Sequence, residues 1–85
     1  MDTSILRAWA DEVDRELFGG AGLMKGIVNR CEDYNSLEYV VRCIYDELEL
    51  LSVSPDDRVA SKVSDNSDWL MDRLGGLIDR LGAAT

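Results

Sequence analysis

The stretch Asn35–Leu51, NSLEYVVRCIYDELELL, decides the fold. Leu37, Val40, Val41, Ile44, Leu48 and Leu51 recur at steps of three, four and seven, the spacing that puts side chains on one face of an α-helix. Tyr39, Cys43 and Leu50 form a second, thinner apolar strip. Only the arc of Glu38, Arg42, Asp46 and Glu49 is fully polar, so the helix is expected to be covered on more than one side, as the central member of a bundle is.

Working outward, Asn35 and Glu38 have the spacing of a capping box that would start this helix. Before it, Leu23, Met24, Ile27, Val28 and Cys31 fit a short helix, weakened by Gly22 and Gly26, each costing up to about 1 kcal/mol against Ala. At the N-terminus, Asp2, Thr3 or Ser4 can cap a helix carrying Leu6, Trp9, Val13 and Leu17, which Gly19 and Gly20 stop. After the central helix, Ser54 suits an N-cap and Pro55 a first helical position, with Asp56 and Asp57 at the positive end of the next dipole. Val59, Val63, Leu70, Leu74, Leu77 and Leu81 then hold one helical phase through the polar stretch Ser64 to Asp68. One unbroken helix to Leu81 would span roughly 40 Å against roughly 24 Å for the central one. Either it breaks between Asp65 and Ser67, with Ser67 recapping it, or its far end overhangs its neighbour. The expected fold class is all-α: one acidic domain over 1–85, a small bundle of three long helices plus one short helix with antiparallel neighbours.

A chain of 85 residues buries little more than about 60% of its unfolded surface, so its stability is modest. Nine Lys and Arg stand against seventeen Asp and Glu, a net charge of -8 with no His. That balance excludes direct binding to nucleic acid or an anionic membrane, both of which need a basic surface, and points to a basic protein partner. No apolar run approaches the roughly 20 residues of a membrane span, and MDTSILRAWADE lacks a signal-peptide core, so a soluble, cytoplasmic protein with reduced thiols is expected. If the segments holding Cys31 and Cys43 pair as an antiparallel hairpin, Cys43 lies roughly 10 Å past the residue facing Cys31. That is beyond the roughly 4.4–6.8 Å of a disulfide, so two buried, inert thiols are expected.

Catalytic signals are weak. Without His, the usual general base and nucleophile activator are missing. GGAGLMKG fails as a phosphate loop, because Lys25 precedes Gly26 and Ile27 follows where Ser or Thr is needed. SDNSD at 64–68 starts like a calcium loop, but Trp69 and Leu70 stand where a ligand and a glycine belong. With no CxxC motif either, no enzyme, cofactor or metal site is expected.

What remains is acid placement. Asp11, Glu12, Asp14 and Glu16 crowd the end of the first helix; Asp46, Glu47, Glu49, Asp56 and Asp57 form a second cluster free of bases. Both put negative charge towards a helix C-terminus, where the dipole disfavours it. Such rule-breaking is expected at functional surfaces, and the nine carboxylates are candidates for binding a partner; the competing explanation is solubility. Trp9, Tyr45 and Trp69 fall on core stripes, whereas Phe18, Tyr34 and Tyr39 lie at helix ends or off-stripe, where each caps its own small core or else serves a contact. The repeat LMDRLG and LIDRLG spaces Leu70, Leu74, Leu77 and Leu81 like a short coiled-coil seam, so these residues either face the core or join a second copy as a homodimer. Gly75 and Gly76 lie off that stripe, where they either kink the helix or admit another backbone.

Two functions follow as expectations. The first is an inhibitor or adaptor that offers its carboxylates to the basic groove of a nucleic-acid-binding protein. In composition alone it is similar to phage-encoded inhibitors of host defence, of which anti-CRISPR proteins are one kind. The second is a self-associating structural or accessory subunit.

Overall fold

The periodic apolar stripes become helices throughout. The computed structural model describes residues 3–84, which form α1 (Thr3–Leu17), α2 (Leu23–Cys31), α3 (Leu37–Ser52), α4 (Asp57–Asp65) and α5 (Ser67–Ala84), with no strand among them. The fold is therefore all-α, with three long helices and two short ones instead of one. The expected last helix breaks at Asn66, whose amide Nδ2 donates to the Lys62 carbonyl at 2.8 Å while its own carbonyl accepts from the Leu70 N–H at 2.8 Å. Asn66 thus ends α4 and starts α5, the role expected of Ser67. Nine residues before the break and eighteen after it avoid an overhang past α3, and the molecule measures 38 × 20 × 20 Å.

Other boundaries shift by one to three residues. Ser36, not Asn35, stands at the N-cap of α3, and its side chain makes no capping bond. Asp56, not Ser54, caps α4, its Oδ1 accepting from the Arg58 N–H at 3.0 Å. Asp2 lies outside the described residues.

The core is a single cluster. From α1 it takes Leu6, Trp9, Val13 and Leu17; from α2, Met24, Ile27, Val28 and Cys31; from α3, Val40, Ile44 and Leu48. Val63 of α4 and Leu70, Leu74, Leu77 and Leu81 of α5 complete it. Helix α3 touches α2, α4 and α5, as its wide apolar arc requires. The four α5 leucines are each 5% exposed or less, so their seam faces this chain's own interior and is not open to a second copy. A Cβ at Gly75 or Gly76 would meet nothing within 4 Å, so neither glycine admits a close neighbour within the monomer.

Cys31 and Cys43 are joined in a disulfide with their Cα atoms 5.7 Å apart, which overturns the expectation of free thiols. The flush hairpin behind that expectation does not form. Segment 32–36 can reach roughly 16 Å when extended, more than the roughly 10 Å from the start of α3 to its second turn. The chain therefore travels out and returns, bringing Cys43 back onto the end of α2. Closing a loop of sequence separation 12 contributes about 3 kcal/mol on the chain-entropy account, a large share for so small a core.

Candidate functional site

The acids of α1 are engaged inside the fold. The chain leaves α1 through Gly19 and Gly20, both at positive φ, and enters α2 from Gly22, which has no side chain to cap it. The first N–H groups of α2 need acceptors, and Asp14 supplies them: Oδ1 accepts from Met24 at 2.7 Å and Oδ2 from Lys25 at 3.2 Å. Asp14 is 3% exposed, and its own carbonyl accepts from the Phe18 and Gly20 N–H groups, so one residue closes both ends of the turn. Asp11 pairs with Lys25 at 3.1 Å, Glu12 with Arg80 at 3.4 Å and Glu16 with Arg73 at 3.3 Å. Arg73 also lies over the Trp69 ring at 4.9 Å, and its carbonyl accepts from the Trp9 indole N–H at 2.9 Å. The cost of acids near the C-terminus of α1 is offset by these cations and by the N-terminus of α2.

The second cluster divides. Glu47 pairs with Arg30 at 2.7 Å, and Asp56 is the cap of α4. Glu49 accepts from the Tyr45 hydroxyl, and that bond, with the Glu49 charge, partial burial and the nearby Asp46, holds the phenol above its ordinary pKa. Asp46 and Asp57 have no cationic partner among the described residues. The structure thus brings Asp46, Glu47 and Glu49 together on α3 and leaves the α1 acids apart from them.

Two surface features adjoin these acids. Tyr34 and Tyr39, 50% and 60% exposed, stand with ring centroids 6.5 Å apart beside the disulfide, around a shallow hollow shared with Arg42, Asp46 and Leu50. Phe18, by contrast, packs partly buried against the core. On the other side of α3, an almost wholly apolar groove opens towards α5, lined by Leu37, Val41, Tyr45, Leu74 and Ile78. Tyr45 is 41% exposed and not a core residue, because the α3 stripe is wider than the surface its neighbours cover. Tyr45 also belongs to a second depression, lined by Leu48, Val63 and Met71 among others, so the apolar surface continues towards α4.

Sequence reasoning missed Glu38, Asp68, Asp72 and Asp79 as exposed acids near this groove. The signal was available: the LMDRLG and LIDRLG repeat places Asp72 and Asp79 at one heptad position, on the side of α5 opposite its leucines. Among the described residues no three or more His, Cys, Asp or Glu side chains gather to hold a metal ion, and no helix is long and apolar enough to cross a membrane. No family model, characterised protein or solved structure matches the chain.

Proposed function

We propose that this chain is a non-enzymatic acidic protein-binding module that docks on a basic, nucleic-acid-binding surface of a partner protein, as phage-encoded anti-defence inhibitors of the anti-CRISPR type do. The observation that carries this reading is the division of the acids. Those of α1 are held by cations or N–H groups of the fold, while Asp46 stands without a cation beside exposed Tyr34, Tyr39 and Leu50. Exposed aromatic anchors beside an unpaired carboxylate suit contact with a cationic surface, where complementary charge speeds encounter and fixes orientation, although Arg42 shares the same hollow. In this proposal the module acts as one domain with antiparallel neighbours. Its place of action is the cytoplasm, where thiol exchange would reach the Cys31–Cys43 bridge through the half-buried Cys43 and not through the fully buried Cys31. Self-association through Leu70, Leu74, Leu77 and Leu81 loses its support, because those side chains are in the core.

The test is affinity capture from extracts of the source cell and its host with the wild type, Asp46→Lys/Asp57→Lys and Glu12→Gln/Glu16→Gln. A basic protein should be retained by the wild type and by the α1 variant, released as salt rises, and lost with the α3–α4 variant while its melting temperature holds. Capture unaffected by the lysines would refute the reading.

A further inference from the structure

The groove between α3 and α5 is the least satisfied surface of the molecule. Its walls, Leu37, Val41 and Leu74, are apolar, and Tyr45, Ile78 and Met71 remain 38–41% exposed along it. From Leu37 to Tyr45 it follows α3 for roughly 12 Å, about two helical turns, and a second depression that shares Tyr45, lined by Leu48, Glu49 and Met71 among others, extends it. Both rims are acidic. On α3 stand Glu38 and Glu49, with Arg42 the one cation between them. On α5, Asp72 and Asp79 each follow a groove residue, Met71 and Ile78, by one position, which sets them about 100° further round the helix on its exposed side. Neither has an ion-pair partner among the described residues.

We infer that this groove receives a cationic amphipathic helix from a partner protein, its apolar face seated on Tyr45, Val41 and Ile78 and its Lys or Arg flanks meeting the two acidic rims. The inference rests on the basic-partner reading above and adds to it a second contact, on the other side of α3 from the Asp46 hollow, for one kind of segment. Three observations select this occupant. The described chain has no strand edge to which an extended peptide could add, whereas the cleft between two helices takes a third. Lysine and arginine flanks complement rims that are otherwise unpaired. A second copy would set acidic rims against acidic rims in a chain of net charge -8, which disfavours a homodimer here.

The test titrates the full chain with an amphipathic leucine/lysine helical peptide about three turns long. A leucine/glutamate peptide of the same pattern and a lysine/serine peptide of the same charge serve as comparisons, all read by chemical shifts. The leucine/lysine peptide should bind, with shifts concentrated at Val41, Tyr45, Met71 and Ile78 and affinity falling as salt rises. Ile78→Lys should weaken it about tenfold or more, and Glu38→Gln/Asp79→Gln several-fold with a shallower salt dependence, both without loss of melting temperature. Equal binding of the leucine/glutamate peptide, leucine/lysine shifts centred on Asp46 or α1, no binding by this peptide, or sedimentation showing a dimer that Ile78→Lys dissociates would each overturn the inference. Capture that still depends on Asp46 and Asp57 while the groove stays empty would overturn this inference alone; capture indifferent to those residues would overturn the broader reading.

Discussion

Helices α1 and α3 each carry four carboxylates, and the fold treats them in opposite ways. On α1, three form ion pairs with α2 and α5 and the fourth caps α2. On α3, Glu47 has an arginine and Glu49 a phenol, while Glu38 and Asp46 have no cationic partner among the described residues. The cause is position. Helix α1 lies against the N-terminus of α2 and the Arg73 and Arg80 side of α5; on α3, Glu38 and Glu49 border depressions shared with α5, which supplies no cation there, and only Glu47 meets one, Arg30 of α2. Acid density along a sequence therefore does not mark a recognition surface. In the reading proposed above, it is instead acid that no cation or N–H group of the fold reaches that marks one.

Substitutions can break this contrast, and the largest effect belongs to Asp14. Asp14→Ala strands the N–H groups of Met24 and Lys25 at a half-buried helix start, so denaturant unfolding should report a loss of about 2–3 kcal/mol. Asp14→Asn keeps one acceptor and should lose less, while Asp46→Ala should change stability by no more than about 0.5 kcal/mol. Equal losses at Asp14 and Asp46 would erase the distinction between the two helices. Smaller effects follow at the surface pairs. Glu12→Gln and Glu16→Gln, with partners that are 49% and 44% exposed, should each cost about 0.5 kcal/mol or less, and that cost should shrink in salt.

The smallest effect is spectroscopic. The Glu49 carboxylate raises the Tyr45 pKa, so Glu49→Gln should move the phenolate absorbance transition down towards the ordinary tyrosine value. A raised folded-state pKa means that this contact's stabilisation is complete below the ordinary phenol pKa. It is lost as pH rises through the folded value, so its effect on unfolding is confined to alkaline solution. An unchanged transition in Glu49→Gln would remove the Tyr45–Glu49 contact from the description of α3.

The helical stripes were legible in the sequence because burial repeats with the turn of the helix: Leu6, Trp9 and Val13, then Val40, Ile44 and Leu48, then the α5 leucines all lie in the core as their spacing requires. Their off-stripe positions alone did not decide Phe18, Tyr34 and Tyr39: Phe18 packs on the core, whereas Tyr34 and Tyr39 are exposed and do not cap it. What local pattern could not carry was anything set by two segments meeting. Asp14 acts as a cap only because α2 starts beside it. Cys43 reaches Cys31 only because segment 32–36 lets α3 return across the end of α2. Tyr45 borders the stripe of buried residues and is left open because that stripe is wider than the surface α5 covers. Length leaves a break between Asp65 and Ser67 as one of two outcomes; the residue that makes it, Asn66, acts through both its side chain and its backbone carbonyl, where a hydroxyl cap at Ser67 is the expected device.

Because α4 is separated from α5 at Asn66 and buries only Val63, it contributes less to the core than any other helix, although it packs along α3. Such a piece opens on its own, and its amides should exchange with deuterium well before those of α1, α3 and α5. Val63 and Ser64 wall the end of the apolar surface that runs past Tyr45. Fast exchange in α4 makes that wall an adjustable stop, able to swing aside for a longer guest; exchange as slow as in α3 would make it a fixed ruler.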